Sequence, residues 1–151
     1  MNSRFVMAAH VLGMLAWHER EGAGTVTSEQ MAASIQTNPV VVRRLLGDLS
    51  RAGLVETKRG AGGGVRLARG PESITLCDIY KAVGDGTELF GRHPSGANPT
   101  CAFAPVVVDY LDEVFKRAEA AVHESLGGTT VAQMSVEVGK RMGAHGGKGC
   151  R

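Results

Sequence analysis

Apolar residues recur along most of the chain at the spacing of α-helices, and one region has the shorter repeat of β-strands. Asn2 or Ser3 can cap a first helix, whose apolar positions continue to about Glu19. A glycine run separates two short strands, which is typical of a hairpin turn. In chain order the pattern predicts helices at 3–19, 27–36, 39–52, 73–83, 100–126 and 130–142, with strands at 54–59 and 65–68.

Two helix starts in the first half of the chain carry clear capping signals. Thr27-Ser28-Glu29-Gln30 has the form of a capping box, in which Gln30 reaches back to the cap residue. Thr37 and Asn38 are candidate caps for the third helix, and Pro39 fits its first turn because its missing N–H needs no partner there. The third helix has a core face of Val42, Leu45, Leu46 and Leu49, and an outer face of Val40, Arg43, Arg44, Gly47 and Arg51.

The order of these elements defines the predicted fold. Two short helices, a sharp turn, a third helix and a hairpin make a winged helix-turn-helix, so the predicted fold class is mostly α with a small β-hairpin. The long helix exposes a wide apolar seam, so we expect it to pair with a second copy, the alternative being an intramolecular bundle. The predicted organisation is a winged helix-turn-helix DNA-binding domain at 1–83, a sensor or linker loop at 84–100, dimerisation helices at 101–142 and a disordered tail at 143–151.

Positive charge is concentrated in the third helix and the hairpin. The net charge is +2, but it is unevenly distributed. Residues 1–70 carry nine Lys or Arg and five Asp or Glu, whereas residues 71–151 carry eight Lys or Arg and ten Asp or Glu. Between 43 and 69 there are seven basic residues and two acidic ones. A solvated face is the simplest reading of such a cluster, but a basic helix beside a hairpin fits B-DNA, whose major groove admits one helix. The predicted partner is therefore double-stranded DNA, bound between about Thr27 and Arg69.

The predicted DNA contacts fall on two helix starts, the outer face of the third helix and the hairpin. Hydroxyls and N-terminal amides can hold phosphates, Arg43 can donate two hydrogen bonds to a guanine edge, and Val40 can contact a thymine methyl. Glycines allow the hairpin to approach the backbone closely, and Arg59 suits a minor groove. The predicted set is Thr27, Ser28, Thr37, Asn38, Pro39, Val40, Arg43, Arg44, Lys58, Arg59, Gly60, Gly62, Gly63 and Arg66.

The hairpin run Arg59-Gly60-Ala61-Gly62-Gly63-Gly64-Val65-Arg66-Leu67-Ala68-Arg69 resembles the wing signature of the Rrf2 family of bacterial transcriptional regulators. The run Asn38-Pro39-Val40-Val41-Val42-Arg43-Arg44 and the run from Ile74 to Val83 also match, and the resemblance covers roughly residues 1–125. It implies a homodimer with a long crossing helix, a palindromic operator and, usually, repression.

Three cysteines, Cys77, Cys101 and Cys150, are too widely spaced for a disulfide framework or a CxxC zinc site. This usage fits a reducing compartment, and no segment is long enough to span a membrane, so we expect a cytoplasmic protein. Cluster-binding members of the family place three cysteines in the loop before the long helix, whereas only Cys101 lies between Gly84 and Pro105. The chain therefore resembles the cluster-free branch, and no cofactor or metal is predicted.

The predicted sensor residues are Cys101 and His93. Cys101 falls at the predicted start of the long helix, where amide groups stabilise a thiolate, and His93 lies in the preceding loop. A structural cysteine packed under the loop is the alternative of equal weight. Cys77 and Trp17 are expected in the core, and His10 and His18 on a helix surface or interface.

Other classes of function remain as alternatives. The chain has no HExxH, GxSxG, Walker or paired-carboxylate motif, so it is not predicted to be an enzyme. A regulator that senses a small molecule in a pocket at loop 84–100, without a redox thiol, is the second interpretation. A winged helix that binds protein instead of DNA is the third, and an iron-sulfur sensor is the least favoured.

Overall fold

The computed structural model describes residues 3–84, 89–91 and 96–144. Met1, Asn2 and the tail from 145 lie outside the described residues, as do 85–88 and 92–95, which include the predicted sensor His93. The described elements are α1 (Ser3–Arg20), α2 (Ser28–Ile35), α3 (Pro39–Arg51), β1 (Val55–Lys58), β2 (Gly64–Leu67), a 3₁₀ turn (Pro71–Ser73), α4 (Leu76–Val83), α5 (Phe103–Gly127) and α6 (Val131–Ala144). Their order confirms the predicted mostly α fold with one hairpin.

A single core lies under α1, which contacts α2, α3, α4, α6 and the hairpin. Ala8, Val11, Leu12 and Leu15 are buried on its inner face, because apolar residues three and four apart share one side of a helix. The predicted core face of α3 is buried as expected, and the N-terminal half of α4 adds Cys77, which is 7% exposed. The fully buried large side chains are Leu12, Met31, Leu45, Leu49, Leu54, Ile74, Ile79, Val11, Val26, Val42, Val83 and Val131.

The helix starts are fixed by side-chain caps. The Thr27 hydroxyl accepts from the Gln30 amide at 3.2 Å, and the Gln30 side chain accepts from the Thr27 amide at 2.9 Å, which confirms the predicted capping box. Asn38, not Thr37, caps α3, since its Oδ1 accepts from the Val40 amide at 2.8 Å. Capping of this kind stabilises a helix by about 1 kcal/mol.

The hairpin is antiparallel and is joined by a third segment of chain. Lys58 pairs with Gly64 and Glu56 with Arg66, so the loop between the strands is residues 59–63. Val26 forms a β-bridge with Val65, with N–H···O distances of 3.1 and 2.8 Å in the two directions. The connection between α1 and α2 therefore supports the hairpin, a contact that strand-by-strand reading of the sequence did not predict.

The long helix α5 differs from the other helices because none of its residues is buried. It begins at Phe103, later than predicted, and Cys101 therefore precedes the helix and its N-cap residue Ala102. Phe103, Val106 and Tyr110 are 73%, 65% and 60% exposed. This apolar surface stays uncovered within the described part of the chain, and exposed apolar surface of this extent is typical of an interaction site.

The last helix, α6, returns to the winged-helix body. The Val131 amide donates to the Ile74 carbonyl at 2.8 Å, and the Leu76 amide donates to the Thr129 carbonyl at 2.9 Å. Val131 is fully buried, and α6 packs along α1. Of the two helices assigned to dimerisation, α6 is thus partly covered by the body, whereas α5 has no buried residue. Helix α6 also includes Gly143 and Ala144, which the sequence had placed in the disordered tail.

Candidate nucleic-acid interface

The N-terminal ends of α2 and α3 carry five of the predicted DNA contacts, namely Thr27, Ser28, Thr37, Asn38 and Pro39. Thr27 and Asn38 use an acceptor atom for capping, and this leaves the Thr27 O–H and the Asn38 NH₂ available as donors. Pro39 is the first residue of α3, as predicted. Ser28 differs, because its hydroxyl donates to Glu29 at 3.1 Å. Two helix N-termini with capped but still donating side chains form a site suited to phosphate groups.

The outer face of α3 begins with two exposed valines. Val40 is 49% exposed, as the sequence predicted, and Val41 is 40% exposed, which the sequence did not single out. The packing of the described residues does not cover them, whereas a thymine methyl provides an apolar partner in a major groove. The two valines extend the predicted apolar contact by one residue.

Arg43 and Arg44 follow on the same face in different electrostatic states. Arg43 donates to the Glu29 carboxylate of α2 at 2.6 Å, and the two side chains are 58% and 61% exposed. The pKa of Glu29 is lowered mainly by its own backbone amide and then by the Arg43 and Ser28 hydrogen bonds, so Glu29 is charged at neutral pH. Within the described part of the chain, Arg44 forms no ion pair. Arg44 is thus the uncompensated charge, and Arg43 is oriented by α2.

The hairpin, or wing (residues 55–67), presents basic residues beside this helix. Lys58 and Arg59 are exposed at the tip and make no ion pair among the described residues, whereas Arg66 is paired with Glu56 across the strands. Gly60 and Gly62 have φ angles of +91° and +69°, which favour glycine. A Cβ at Gly63 would lie 2.5 Å from the Lys58 carbonyl oxygen and 2.6 Å from that of Gly60. The predicted glycines are therefore required by the turn itself.

The wing tip is held by Thr25, a residue that the sequence analysis missed. Its hydroxyl lies 3.1 Å from the carbonyl oxygens of both Gly62 and Gly63, to which it donates. A Cβ at Gly64 would meet the Thr25 side chain at 2.9 Å, so the two segments touch. The only signal in the sequence was a β-branched threonine beside Val26, which is too common a pattern to indicate the contact.

The loop before α5 lies along that helix where the structure describes it. The Leu89 amide donates to Glu119 at 3.0 Å, and the Phe90 and Phe115 rings stack at a centroid distance of 4.5 Å. Cys101 is exposed, and its amide donates to the Asn98 carbonyl at 3.1 Å. The second predicted sensor, His93, lies outside the described residues, so its relation to Cys101 stays a prediction.

A capped helix with basic and apolar residues on its outer face, beside a glycine-tipped wing, defines a winged-helix DNA-binding regulator. The chain matches the Rrf2 family, described as "Iron-dependent Transcriptional regulator", over residues 1–137. It is 34% identical over 126 residues to YwnA of Bacillus subtilis (strain 168), which is assigned to the HTH-type transcriptional regulators, with 83% of this chain and 90% of YwnA covered. The chain therefore belongs to the Rrf2 family of transcriptional regulators, as its wing sequence indicated, and is a DNA-binding regulator and not an enzyme.

Solved structures show the same fold. IscR of T. potens superposes with a TM-score of 0.70 at 23% identity, over 99% of this chain and 93% of IscR. CymR of B. subtilis, described as the global cysteine regulator, superposes with a TM-score of 0.68 at 23% identity, over 91% of this chain and 96% of CymR. The described helices include none with the length and apolar character that crossing a membrane requires.

The description of the family as iron-dependent can be tested against the donor atoms of this chain. Within residues 3–84, 89–91 and 96–144, no three His, Cys, Asp or Glu side chains come together as a metal site. Cys77 is buried in the core and Cys101 is exposed before α5. An iron-sulfur cluster takes four ligands, mostly cysteine thiolates. The described donor set does not fit such a cluster.

Proposed function

We propose that the protein is a homodimeric repressor that binds a palindromic DNA operator in the cytoplasm. The single observation that carries this proposal is the joint surface of α3 and the wing. It combines exposed Val40 and Val41, the basic residues Arg43 and Arg44, and a tip with Lys58 and Arg59. Apolar and basic groups side by side at a helix N-terminus suit base edges flanked by phosphates.

In this proposal α3 reads the major groove. Arg43 donates two hydrogen bonds to a guanine edge, which is worth about 1–3 kcal/mol of discrimination against another base. Only one of its nitrogens has a described partner, Glu29, so the guanidinium keeps donors for the base. Arg44 and the α2 and α3 N-termini take neighbouring phosphates.

The wing contributes a second, less sequence-specific contact. Arg59 enters the adjacent minor groove, where a narrow groove concentrates negative potential. Lys58 and the tip glycines lie against the sugar-phosphate backbone, and Arg66 adds to this contact only after it leaves Glu56. Thr25 supports this role because it orders the tip before DNA arrives.

Homodimer formation through α5 is supported by its uncovered apolar residues. Pairing two copies of α5 covers Val106, Tyr110 and Leu111, which are 65%, 60% and 40% exposed in one chain. Two α3 helices related by a two-fold axis then meet half-sites about 34 Å apart, one turn of DNA. A Tyr110→Asp variant is expected to be monomeric by light scattering, with an unchanged helical circular dichroism spectrum.

Cys101 is the proposed point of redox control. Its thiolate attacks one oxygen of hydrogen peroxide, the O–O bond breaks, and sulfenic acid and hydroxide form, so that sulfur loses the two electrons that the peroxide gains. Its exposure next to α5 supports this role, because a change there bears on the dimer helix. Repression requires only that the bound dimer occupy a promoter.

Selection of bound duplexes from a random pool, with and without oxidant, tests DNA binding. We expect palindromic sequences with half-sites one turn apart, and affinity that falls steeply with salt concentration. Recovery of no preferred sequence in either redox state contradicts the proposal. Transcription in vitro from a promoter carrying the selected site tests the sign of regulation.

The thiol is tested separately with matched serine variants. Peroxide is expected to weaken operator binding of the wild type and of Cys150→Ser, and to leave Cys101→Ser unaffected. Mass spectrometry of the treated protein locates the oxidised residue. Equal peroxide sensitivity of Cys101→Ser and the wild type removes Cys101 from the mechanism while leaving DNA binding in place.

A further inference from the structure

A cavity of about 280 Å³ lies between α1 and α6. It forms where the small residues Ala9 and Gly13 of α1 face α6 and leave space that larger side chains would fill. Gly13 lies in the middle of α1, where glycine is less favourable than alanine, and a Cβ there would lie 3.0 Å from Met134 Cε. The cavity is therefore part of the contact between the two helices.

The polar side chains at this cavity offer few partners to a bound molecule. The sequence assigned His18 to a helix surface or interface, but its Nδ1 atom and Ser135 Oγ are so deeply buried that a molecule in the cavity cannot reach them. His10 Nε2 and Ser34 Oγ are hydrogen-bonded to each other at 2.9 Å. No Asp, Glu, Lys or Arg is among the described residues that line the cavity. A charged molecule would lose hydration there without gaining an ionic partner, so the cavity favours a neutral one.

Thioether and aromatic side chains form much of the remaining wall. Met14, Met134 and Met142 line the cavity together with Trp17, and all four are only partly buried, so they retain surface for a ligand. Methionine sulfur makes favourable contacts with aromatic rings, and its flexible chain adapts to their shape. The wall is therefore better suited to an aromatic ring than to a polar molecule.

We propose that this cavity binds an uncharged, apolar aromatic molecule about the size of two fused rings. The molecule is held by contacts with the methionine and tryptophan side chains and needs no directed hydrogen bond. A cavity of about 150 Å³ with apolar walls binds benzene, so a cavity of about 280 Å³ has room for a second ring.

The cavity also adjoins one of the DNA-binding helices. Ser34 of α2 lines it and is hydrogen-bonded to His10 of α1. The same helix carries Glu29, which pairs with Arg43 of α3. A ligand beside Ser34 therefore lies against the helix that orients Arg43. Only this regulatory consequence rests on the proposed function; ligand binding itself does not.

The test uses the full chain with methyl-labelled methionine and two probes, naphthalene and 2-naphthoate, which share the fused rings and differ in charge. In NMR titrations we expect naphthalene to shift the methyl signals of Met14, Met134 and Met142, and to leave that of Met31, which is buried in the core, unchanged. Because the described lining residues provide no cation for the carboxylate, the dissociation constant of 2-naphthoate should be higher by a factor of about ten or more.

A matched pair of variants on α6 tests the location of the site. Val138→Phe adds a large side chain at a residue that lines the cavity, whereas Val136→Phe adds the same side chain at a residue outside the lining. The two valines are 48% and 43% exposed, so both variants are expected to fold, which circular dichroism checks. We expect Val138→Phe to weaken naphthalene binding by a factor of about ten or more, and Val136→Phe to bind like the wild type.

Three results overturn the proposal. They are absence of naphthalene binding to the folded wild type, equal affinity for naphthalene and 2-naphthoate, and equal naphthalene affinity of Val138→Phe and Val136→Phe. Because these titrations contain no DNA, their result is separate from that of the duplex selection.

Discussion

Thr25 offers a direct test of whether an ordered wing matters for DNA binding. Its hydroxyl donates to the carbonyl oxygens of Gly62 and Gly63, both at 3.1 Å, and its side chain packs against Gly64. Thr25→Val removes the donor and keeps the branched shape, so the contact with Gly64 is retained. The substitution therefore isolates the hydrogen bond that ties the wing tip to the connection between α1 and α2.

The free energy lost in Thr25→Val follows from the number of hydrogen bonds that the Thr25 hydroxyl can donate. One hydroxyl hydrogen is shared between two carbonyl oxygens, so a single hydrogen bond is lost, about 0.5–1.5 kcal/mol of the free energy of unfolding. The same free energy also stabilises the ordered wing tip over the free one. Without it, DNA binding must order the tip, which lowers operator affinity by up to about 13-fold. The dissociation rate should change less than the affinity.

Thr57→Val is the matched control, since Thr57 is an exposed threonine of β1 with no described side-chain hydrogen bond. Urea unfolding measures stability, and titration of the selected operator measures affinity. We expect Thr25→Val to have lower stability, lower operator affinity and faster amide exchange at the wing tip. We expect Thr57→Val to match the wild type in all three. If the two variants bind DNA equally well, the wing does not need Thr25 to be ordered, and the reasoning is wrong.

Three further predictions concern charge, close packing and pH. Glu29→Gln breaks the ion pair with Arg43 and removes a negative charge near the phosphates, so operator affinity should rise about threefold. The control is Glu137→Gln, which breaks a similarly exposed ion pair with Arg141 on α6 and should leave operator affinity unchanged. Gly63→Ala places a Cβ 2.5 Å from a backbone oxygen and should lower the free energy of unfolding by about 1–3 kcal/mol, measured in urea. A hydrogen bond from the Thr75 backbone amide is the main cause that lowers the pKa of Asp78 below its usual value of 3.8. The charged carboxylate therefore stabilises the fold above that pH, and this stabilisation is lost as the pH falls. In Asp78→Asn, the urea midpoint should depend less on pH between about pH 5 and about 2 than it does in the wild type.

The elements that local rules determine were predictable from the sequence. Asn38 and Pro39 mark the start of α3 because capping and the missing proline N–H act within one turn. The buried face of α3 follows from a repeat within one helix, and the wing glycines from a turn of five residues. Such signals need no knowledge of distant parts of the chain.

The contacts that the sequence did not reveal join distant segments. Thr25 contacts Gly62 and Gly63, which follow it by 37 and 38 positions, and Arg43 contacts Glu29, which precedes it by 14 positions. A cavity between α1 and α6 is lined by Trp17 and His18 of α1 and by Ser135 of α6. No periodicity within either helix indicates which residues of the two helices come together. Trp17 was expected in the core and is instead half-buried, with Gly139 of α6 packed against its ring.

The attachment of α5 bears on the control through Cys101 that we propose. The C-terminal end of the helix is tied to the body, since His123 packs on Tyr80 at 5.7 Å and the Leu76 amide donates to the Thr129 carbonyl just after the helix ends. Its N-terminal end carries the 73%-exposed Phe103 two residues after Cys101, with no buried residue between there and Gly127. We expect modification of Cys101 to reorient this helix of 25 residues, about 38 Å long, as a rod about its attached end. In a dimer joined through α5, such a rotation alters the separation of the two α3 helices, while each winged-helix body stays folded.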